Sequence, residues 1–326
     1  MLAVETKGLT KNYAVGFAKK KARPALRQLD LQVEIGEAFG LLGPNGAGKS
    51  TALKILFRLV RPTSGSARIL GEPLENIRTH RRLGYLPENP SFYDHLTAAE
   101  FLDYMGSLHG LSRTETRRRA GDLLHRAGLE EFRDLPLRKF SRGMIQRVGI
   151  TQALINDPEM VFLDEPMSGL DPIGRREVRN LILELRQEGK TVFFSTHILA
   201  DAEAICDRVA ILNRGRLQGC GELRKVLAQE VAGLELVVED PGPEVLRAFK
   251  PLASSMVQTG DRVRIEFPAN IDTERVFRAA VEIRAKVISL NPIKMSLEDY
   301  FISEVNRPPE TPAPEITSHS EAKLLS

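Results

Sequence analysis

Along the first 220 residues, short uninterrupted apolar runs alternate with segments of 3.6-residue period, the pattern of a parallel sheet covered by helices. Ala38 to Leu42, Met160 to Leu163, Val192 to Phe194 and Val209 to Leu212 read as buried strands, the last closed by a turn at Asn213-Arg214-Gly215. Leu53, Leu56, Phe57 and Val60 fall on one face of a helix that Pro62 is expected to end. Asp171 and Pro172 occupy the N-cap and first position of another helix, whose apolar face is Val178, Leu181, Ile182 and Leu185 and whose stop is Gly189. Between about 89 and 156 the strand signals vanish, and the spacing of Ala120, Leu123, Leu124 and Ala127 predicts an inserted helical subdomain. Its arginines, Arg113 and Arg117 to Arg119, read as a solvated helix face.

From about Gly221 the texture changes to a smaller unit. Strand Leu234 to Val238, helix Glu244 to Phe249, strands Ser255 to Gln258 and Val263 to Phe267, helix Thr273 to Ile283 and strand Lys286 to Leu290 give the order βαββαβ. That order predicts a ferredoxin-like α+β domain. A last short helix is expected over Leu297 to Glu304, and the proline-bearing tail is expected to be disordered. The domain boundaries are therefore placed at 1–220, 221–304 and 305–326.

Composition narrows the class without naming a chemistry. The 326 residues correspond to roughly two domains, and 42% hydrophobic with 27% charged residues argues against disorder, collagen and coiled coil. Forty-six basic against 43 acidic side chains leave +3, too balanced to imply nucleic acid or anionic lipid. Cys206 and Cys220 have no metal-ligand spacing and suit a reducing compartment. The first residues carry no signal-like apolar core and no apolar stretch approaches a membrane span, so a chain that does not cross the bilayer is expected.

The chemistry lies in two motifs. Gly43-Pro44-Asn45-Gly46-Ala47-Gly48-Lys49-Ser50 fits GxxxxGK[ST] between a buried strand and an amphipathic helix, the context a Walker A loop requires. Its glycines let backbone N–H groups curl around phosphates, Lys49 reaches the β- and γ-phosphates, and the Ser50 hydroxyl ligates Mg²⁺. Thr51 completes the ATP-binding set. Met160-Val161-Phe162-Leu163-Asp164-Glu165 delivers two carboxylates at the C-terminal end of a strand, as a Walker B strand does. Asp164 is placed to hold Mg²⁺ through water, and Glu165 to polarise the attacking water as general base.

With these motifs the chain resembles the ATP-binding cassette (ABC) ATPases over about residues 4 to 220, and Phe140-Ser141-Arg142-Gly143-Met144-Ile145-Gln146-Arg147 is similar to their signature. The resemblance implies an α/β P-loop cassette in which Ser141 and the Gly143 backbone contact the γ-phosphate bound to the opposite subunit. Ser168-Gly169-Leu170-Asp171 resembles the D-loop of the dimer interface, His197 the switch histidine at the γ-phosphate, and Tyr13 the aromatic residue that stacks on adenine. Glu88 stands where the family usually carries a glutamine linking Mg²⁺ to the membrane partner, and Phe140 and Met144 replace the usual leucine and glutamine.

One Walker pair and one signature per chain imply a head-to-tail dimer, a homodimer or a cassette heterodimer, closing on two ATP molecules. The stroke needs a separate transmembrane permease, with the cassette in the cytoplasm on the inner face of the plasma membrane. The ending Ser296-Leu297-Glu298-Asp299-Tyr300-Phe301 is similar to stand-alone exporter ATPases. The alternative is a soluble ABC ATPase acting on ribosomes or DNA. Those relatives usually carry two cassettes or long inserted coiled coils, and neither is present here. A regulatory cassette that binds ATP without turnover is disfavoured by the presence of Lys49, Asp164, Glu165 and His197 together.

Overall fold

The computed structural model describes residues 1–15, 21–223 and 231–294. The described residues divide into two compact units, 1–223 and 231–294. In the first, β1 (Leu2–Val15) and β2 (Lys21–Glu34) precede β3 (Ala38–Leu42), α1 (Lys49–Leu56), β4 (Ser64–Ile69), β5 (Glu72–Pro73) and β6 (Leu83–Leu86). Helices α2 (Ala98–Leu108), α3 (Arg113–Arg126) and α4 (Arg142–Leu154) follow, then β7 (Met160–Asp164), α5 (Pro172–Gln187), β8 (Thr191–Thr196), α6 (Leu199–Ile205), β9 (Arg208–Asn213) and β10 (Arg216–Glu222).

The four apolar runs become β3, β7, β8 and β9, all in one six-stranded sheet of order β10-β9-β3-β8-β7-β6. Strands β9, β3, β8, β7 and β6 are parallel, so every loop that leaves their C-terminal ends emerges on the same edge. Phe39, Phe162 and Phe193 form the aromatic centre of the core, with centroids 5.4 Å and 5.6 Å apart. Each fully buried ring stabilises the fold by about 1.5–3 kcal/mol.

A second sheet was not legible in the hydrophobic pattern. Strands β2, β1, β4 and β5 pair antiparallel in that order. The register of β1 slips at four points, so its buried residues Ala3, Val4, Thr6 and Leu9 do not alternate. Bulges of this kind erase the two-residue period by which a strand is recognised.

The region between 89 and 156 is helical as expected, with Thr97, Ser112 and Ser141 capping α2, α3 and α4 through their hydroxyls. Arg117 and Arg118 lie on the solvated face of α3, where Arg118 pairs with Glu115 and Asp122. Helix α1 ends at Leu56, well before Pro62. Arg58 takes a left-handed φ of 59°, and N–H groups of Arg58 and Leu59 donate to the carbonyls of Ile55 and Lys54 at 2.8 and 2.7 Å. This is a Schellman closure, and it stops the helix without glycine or proline. Asp171 caps α5 by accepting from the Gly174 amide at 2.7 Å, and α5 stops before Gly189.

The second unit is described separately. Strands β11 (Val231–Glu239), β12 (Ser255–Thr259), β13 (Arg262–Pro268) and β14 (Lys286–Lys294) form an antiparallel sheet of order β12-β13-β11-β14, with helices α7 (Pro243–Phe249) and α8 (Thr273–Glu282) in the connections. Leu236, Val238, Phe249, Ile265, Phe267 and Val276 supply its core. The expected helix at Leu297 to Glu304 and the tail beyond it lie outside the described residues.

Candidate functional site

Residues predicted apart in sequence are carried to the C-terminal edge of the parallel sheet. The loop after β3 carries Gly43 to Ser50, β7 ends in Asp164 with Glu165 beyond it, β8 leads to His197, and β6 leads to Glu88. The parallel register sets Asp164 opposite Ser195 and Leu42 opposite Thr196.

The loop from Gly43 to Ser50 wraps the start of α1. Gly48 sits at φ 112°, a conformation side chains rarely adopt, and a Cβ there would strike the Ala25 carbonyl of β2. No side chain caps α1, which leaves its first amides free for an anion at the positive end of the helix. The turn between β9 and β10 braces the loop: the Gly215 amide donates to the Ala47 carbonyl at 2.8 Å, while its own carbonyl accepts from the Arg27 amide at 2.7 Å. Pro44, Asn45 and Gly46 stay exposed at the loop tip, and Thr51 is half-buried on α1.

Lys49 is buried inside this loop. Its Nζ donates to the Gly43 carbonyl at 2.7 Å and lies 3.1 Å from Glu165 Oε1. The other Glu165 oxygen is 2.8 Å from His197 Nδ1. Glu165 itself holds a left-handed φ of 51°, an uncommon backbone conformation for a non-glycine residue, of the kind that gathers at functional sites. Ser50 Oγ donates to Asp164 Oδ1 at 3.1 Å, and Ser195 Oγ donates to the same oxygen at 2.7 Å. Burial pushes the Asp164 carboxyl above its ordinary range, the hydroxyls of Ser195 and Ser50 oppose that rise, and the charge of Glu165 adds to it.

Ser195 escaped the sequence reading. It accepts from the Glu165 backbone amide at 3.0 Å while donating to Asp164, so one hydroxyl fixes the Asp164 carboxylate and the backbone that carries Glu165. Its only local signal is a polar residue at the end of an apolar strand; the pairing of β7 with β8 gives it meaning. Arg142 also went unnoticed: its guanidinium packs on Gly169, whose φ of 67° and missing Cβ leave the space. The first residues of α4 and the loop before α5 are thereby in contact.

Four assigned residues stand apart from the Lys49–Glu165 centre. Ser141 is exposed and spends its hydroxyl on the Met144 amide of its own helix, and Gly143 lies against Gly174 of α5. Tyr13 is an exposed residue of β1 paired with Arg23, two positions before the Ala25 carbonyl that meets Gly48, and the Lys11 ammonium lies 5.1 Å from its ring centre. Glu88 is exposed beyond β6, and its charge together with that of Asp164 adds to burial in pushing the Tyr85 hydroxyl up to about 12.

Hydroxyl and carboxylate oxygens are the donors Mg²⁺ takes, and it usually needs one or two carboxylates besides phosphate and water. Ser50 with Asp164 fits that set. Among the described residues no cluster of three or more His, Cys, Asp or Glu forms an all-protein metal cage, and no helix is long and apolar enough to cross a membrane.

The family model described as ABC transporter matches residues 26–168. An ABC transporter ATP-binding protein of Synechocystis sp. is 46% identical over 304 residues, covering 93% of this chain and 84% of that protein. The daunorubicin/doxorubicin resistance ATP-binding protein of Streptomyces peucetius is 33% identical over 329 residues, covering 98% and 97%. Among solved structures, a dimeric ATP-binding cassette in a post-hydrolysis state with ADP and Pi superposes with a TM-score of 0.63 at 30% identity, covering 68% of this chain and 99% of that one.

Proposed function

The chain belongs to the ABC transporter ATP-binding proteins, and from that premise we propose that it drives export through a separate membrane permease, with hydrolysis carried by the centre around Lys49, Asp164 and Glu165. The protein is an ATPase subunit of an ABC transporter. One observation carries the site assignment: Lys49, Ser50, Asp164, Glu165, Ser195 and His197 are linked in a continuous set of contacts at the foot of the phosphate loop.

The triphosphate binds along the loop from Gly43 to Thr51, with its phosphates at the free amides of α1 and its adenine toward Tyr13. Ser50 and Asp164 would hold Mg²⁺, with Glu88 as the third residue assigned to it, and the ion would supply positive charge to the phosphates. Phosphate oxygens compete with Glu165 for Lys49, because both lie within reach of one ammonium. Once Lys49 turns to phosphate, the freed carboxylate accepts a proton from the attacking water, the work of a general base. His197 keeps Glu165 oriented through Nδ1 and presents its other ring nitrogen to the γ-phosphate.

Ser141 and Gly143 lie away from this centre in their own chain, which supports their service to the nucleotide of a second cassette in a head-to-tail dimer. The assignment of 1–220 to the cassette, of 221–304 to an accessory domain that steadies or regulates the dimer, and of the chain to the inner face of the plasma membrane belongs to the same proposal. A fluoroquinolones export ATP-binding protein of Mycobacterium tuberculosis, 40% identical over 216 residues, favours export.

The test is a tagged Glu165→Gln protein recovered from detergent-solubilised membranes in the presence of ATP. Wild-type ATP turnover that is lost in the variant, with a polytopic membrane protein in stoichiometric amount, is the expected result. Recovery of ribosomes or a DNA-repair assembly with no membrane partner overturns the transporter role.

A further inference from the structure

Behind the site lies a buried charge that the mechanism above does not use. Asp201, in the first turn of α6, is 1% exposed, and neither of its carboxylate oxygens has a hydrogen-bond partner among the described residues. The cations facing it are Arg175, with Nε at 4.0 Å, and Arg179, with Nη2 at 3.8 Å, both on α5. The Nε of each guanidinium is likewise buried without a hydrogen bond.

A buried carboxylate is normally satisfied, because leaving it unpaired forfeits its hydration with nothing in return. Ion pairs elsewhere in the same unit either close, as Lys190 does on Asp157 at 2.6 Å and Arg82 on Glu159 through two bonds, or stay open where water reaches the acid, as between Arg117 and Asp103 at 3.8 Å. Those pairs are far more exposed than Asp201. The most buried acid of this set is also held open, although two guanidinium forks stand about 1 Å beyond charge-assisted bonding distance. Donors and acceptors that match but do not meet leave room for a second, closed arrangement, reached by a small shift of packed helices.

The position of the cluster says what such closure moves. Helix α5 starts at Pro172, directly after the loop Ser168 to Asp171, and Arg175 and Arg179 lie one turn apart on the face toward α6. Helix α6 starts two residues after His197, which grips Glu165. Asp201 joins the helix behind the γ-phosphate sensor to the helix that begins at the dimer face.

Resting on the ATPase reading above, we propose that Asp201, Arg175 and Arg179 form a positioning switch: their ion pairs close when α5 shifts on dimer closure, and the closure turns α6 so that His197 and Glu165 take their working orientation. None of the three touches nucleotide. They act through His197, so their loss lowers turnover and leaves ATP binding in place.

The test uses the full chain, with Asp201→Asn, Asp201→Glu, Arg179→Gln and the Asp201→Asn/Arg179→Gln double variant, and Glu165→Gln alongside. Asp201→Asn and Arg179→Gln should each lower kcat about 3- to 30-fold with the KM for ATP within about twofold. The double variant should be no slower than the slower single, Asp201→Glu should regain part of the rate, and the melting temperature of Asp201→Asn should not fall. Wild-type kcat in Asp201→Asn beside an inactive Glu165→Gln overturns the switch and leaves the ATPase site standing. Losses that multiply in the double variant overturn it too, because two residues of one switch cannot fail independently. Full turnover in Glu165→Gln removes the ATPase centre itself, and the switch with it.

Discussion

Lys49 Nζ and Glu165 Oε1 stand 3.1 Å apart with both side chains almost wholly buried, so the phosphate-binding cation and the proton acceptor neutralise each other. Breaking a buried pair by removing one partner strands the other charge, at a cost of about 3–5 kcal/mol. Lys49→Ala is therefore expected to lower stability by about that amount, reduced by the contact His197 keeps with Glu165. Chemical denaturation with and without ATP checks this, since the variant should also lose the stabilisation that ATP confers on the wild type.

Glu165→Gln keeps the shape and most hydrogen bonds of the pair but cannot accept a proton. Turnover should fall roughly 10²- to 10⁴-fold while ATP affinity is kept and the ATP-dependent dimer lives longer. Steady-state kinetics with sedimentation in ATP measures both, and undiminished turnover removes Glu165 from its role.

Ser195→Ala removes one donor and one acceptor at a fully buried position. The Glu165 amide loses its 3.0 Å acceptor and Asp164 its 2.7 Å donor. A loss of about 1–3 kcal/mol is expected in urea unfolding, with a fall in kcat because the Asp164 carboxylate and the backbone that carries Glu165 are both released.

Gly48→Ala forces an alanine into φ 112° and drives its Cβ into the Ala25 carbonyl. Backbone strain alone costs about 1–3 kcal/mol, and relief of the clash must move the phosphate loop. A lowered melting temperature and loss of nucleotide binding in a fluorescence titration are the expected outcome.

Asp201 supplies a pH signature. Burial holds its carboxyl above the usual value of 3.8, against the pull of Arg175 and Arg179, with Glu165 adding to the rise and His197 opposing it. An acid raised in this way binds its proton more tightly in the native state than in the unfolded chain, so its ionisation costs stability. That cost is present in full above the native-state value and disappears as pH falls below 3.8. Asp201→Asn should be more stable than wild type at pH 7, by a margin that narrows steadily toward pH 4. Melting curves across that range decide it, and a margin independent of pH would contradict the account.

The glycine-rich loop before α1, the two carboxylates at the end of β7 and the existence of β3, β7, β8 and β9 were legible in the chain. Each is a local property: glycine spacing before Lys49, an apolar run before Asp164, a cap at Asp171. Where β1 lies, how Ser195 serves Asp164 and Glu165 at once, and what surrounds Asp201 depended on the tertiary structure. These are decided by partners distant in sequence: the antiparallel mates that accommodate the bulges of β1, the strand that sets Ser195 beside Asp164, and the helix that brings Arg175 and Arg179 to Asp201. Local pattern records what each residue prefers to do, but a hydrogen bond or a buried charge is settled by whatever the fold sets across from it.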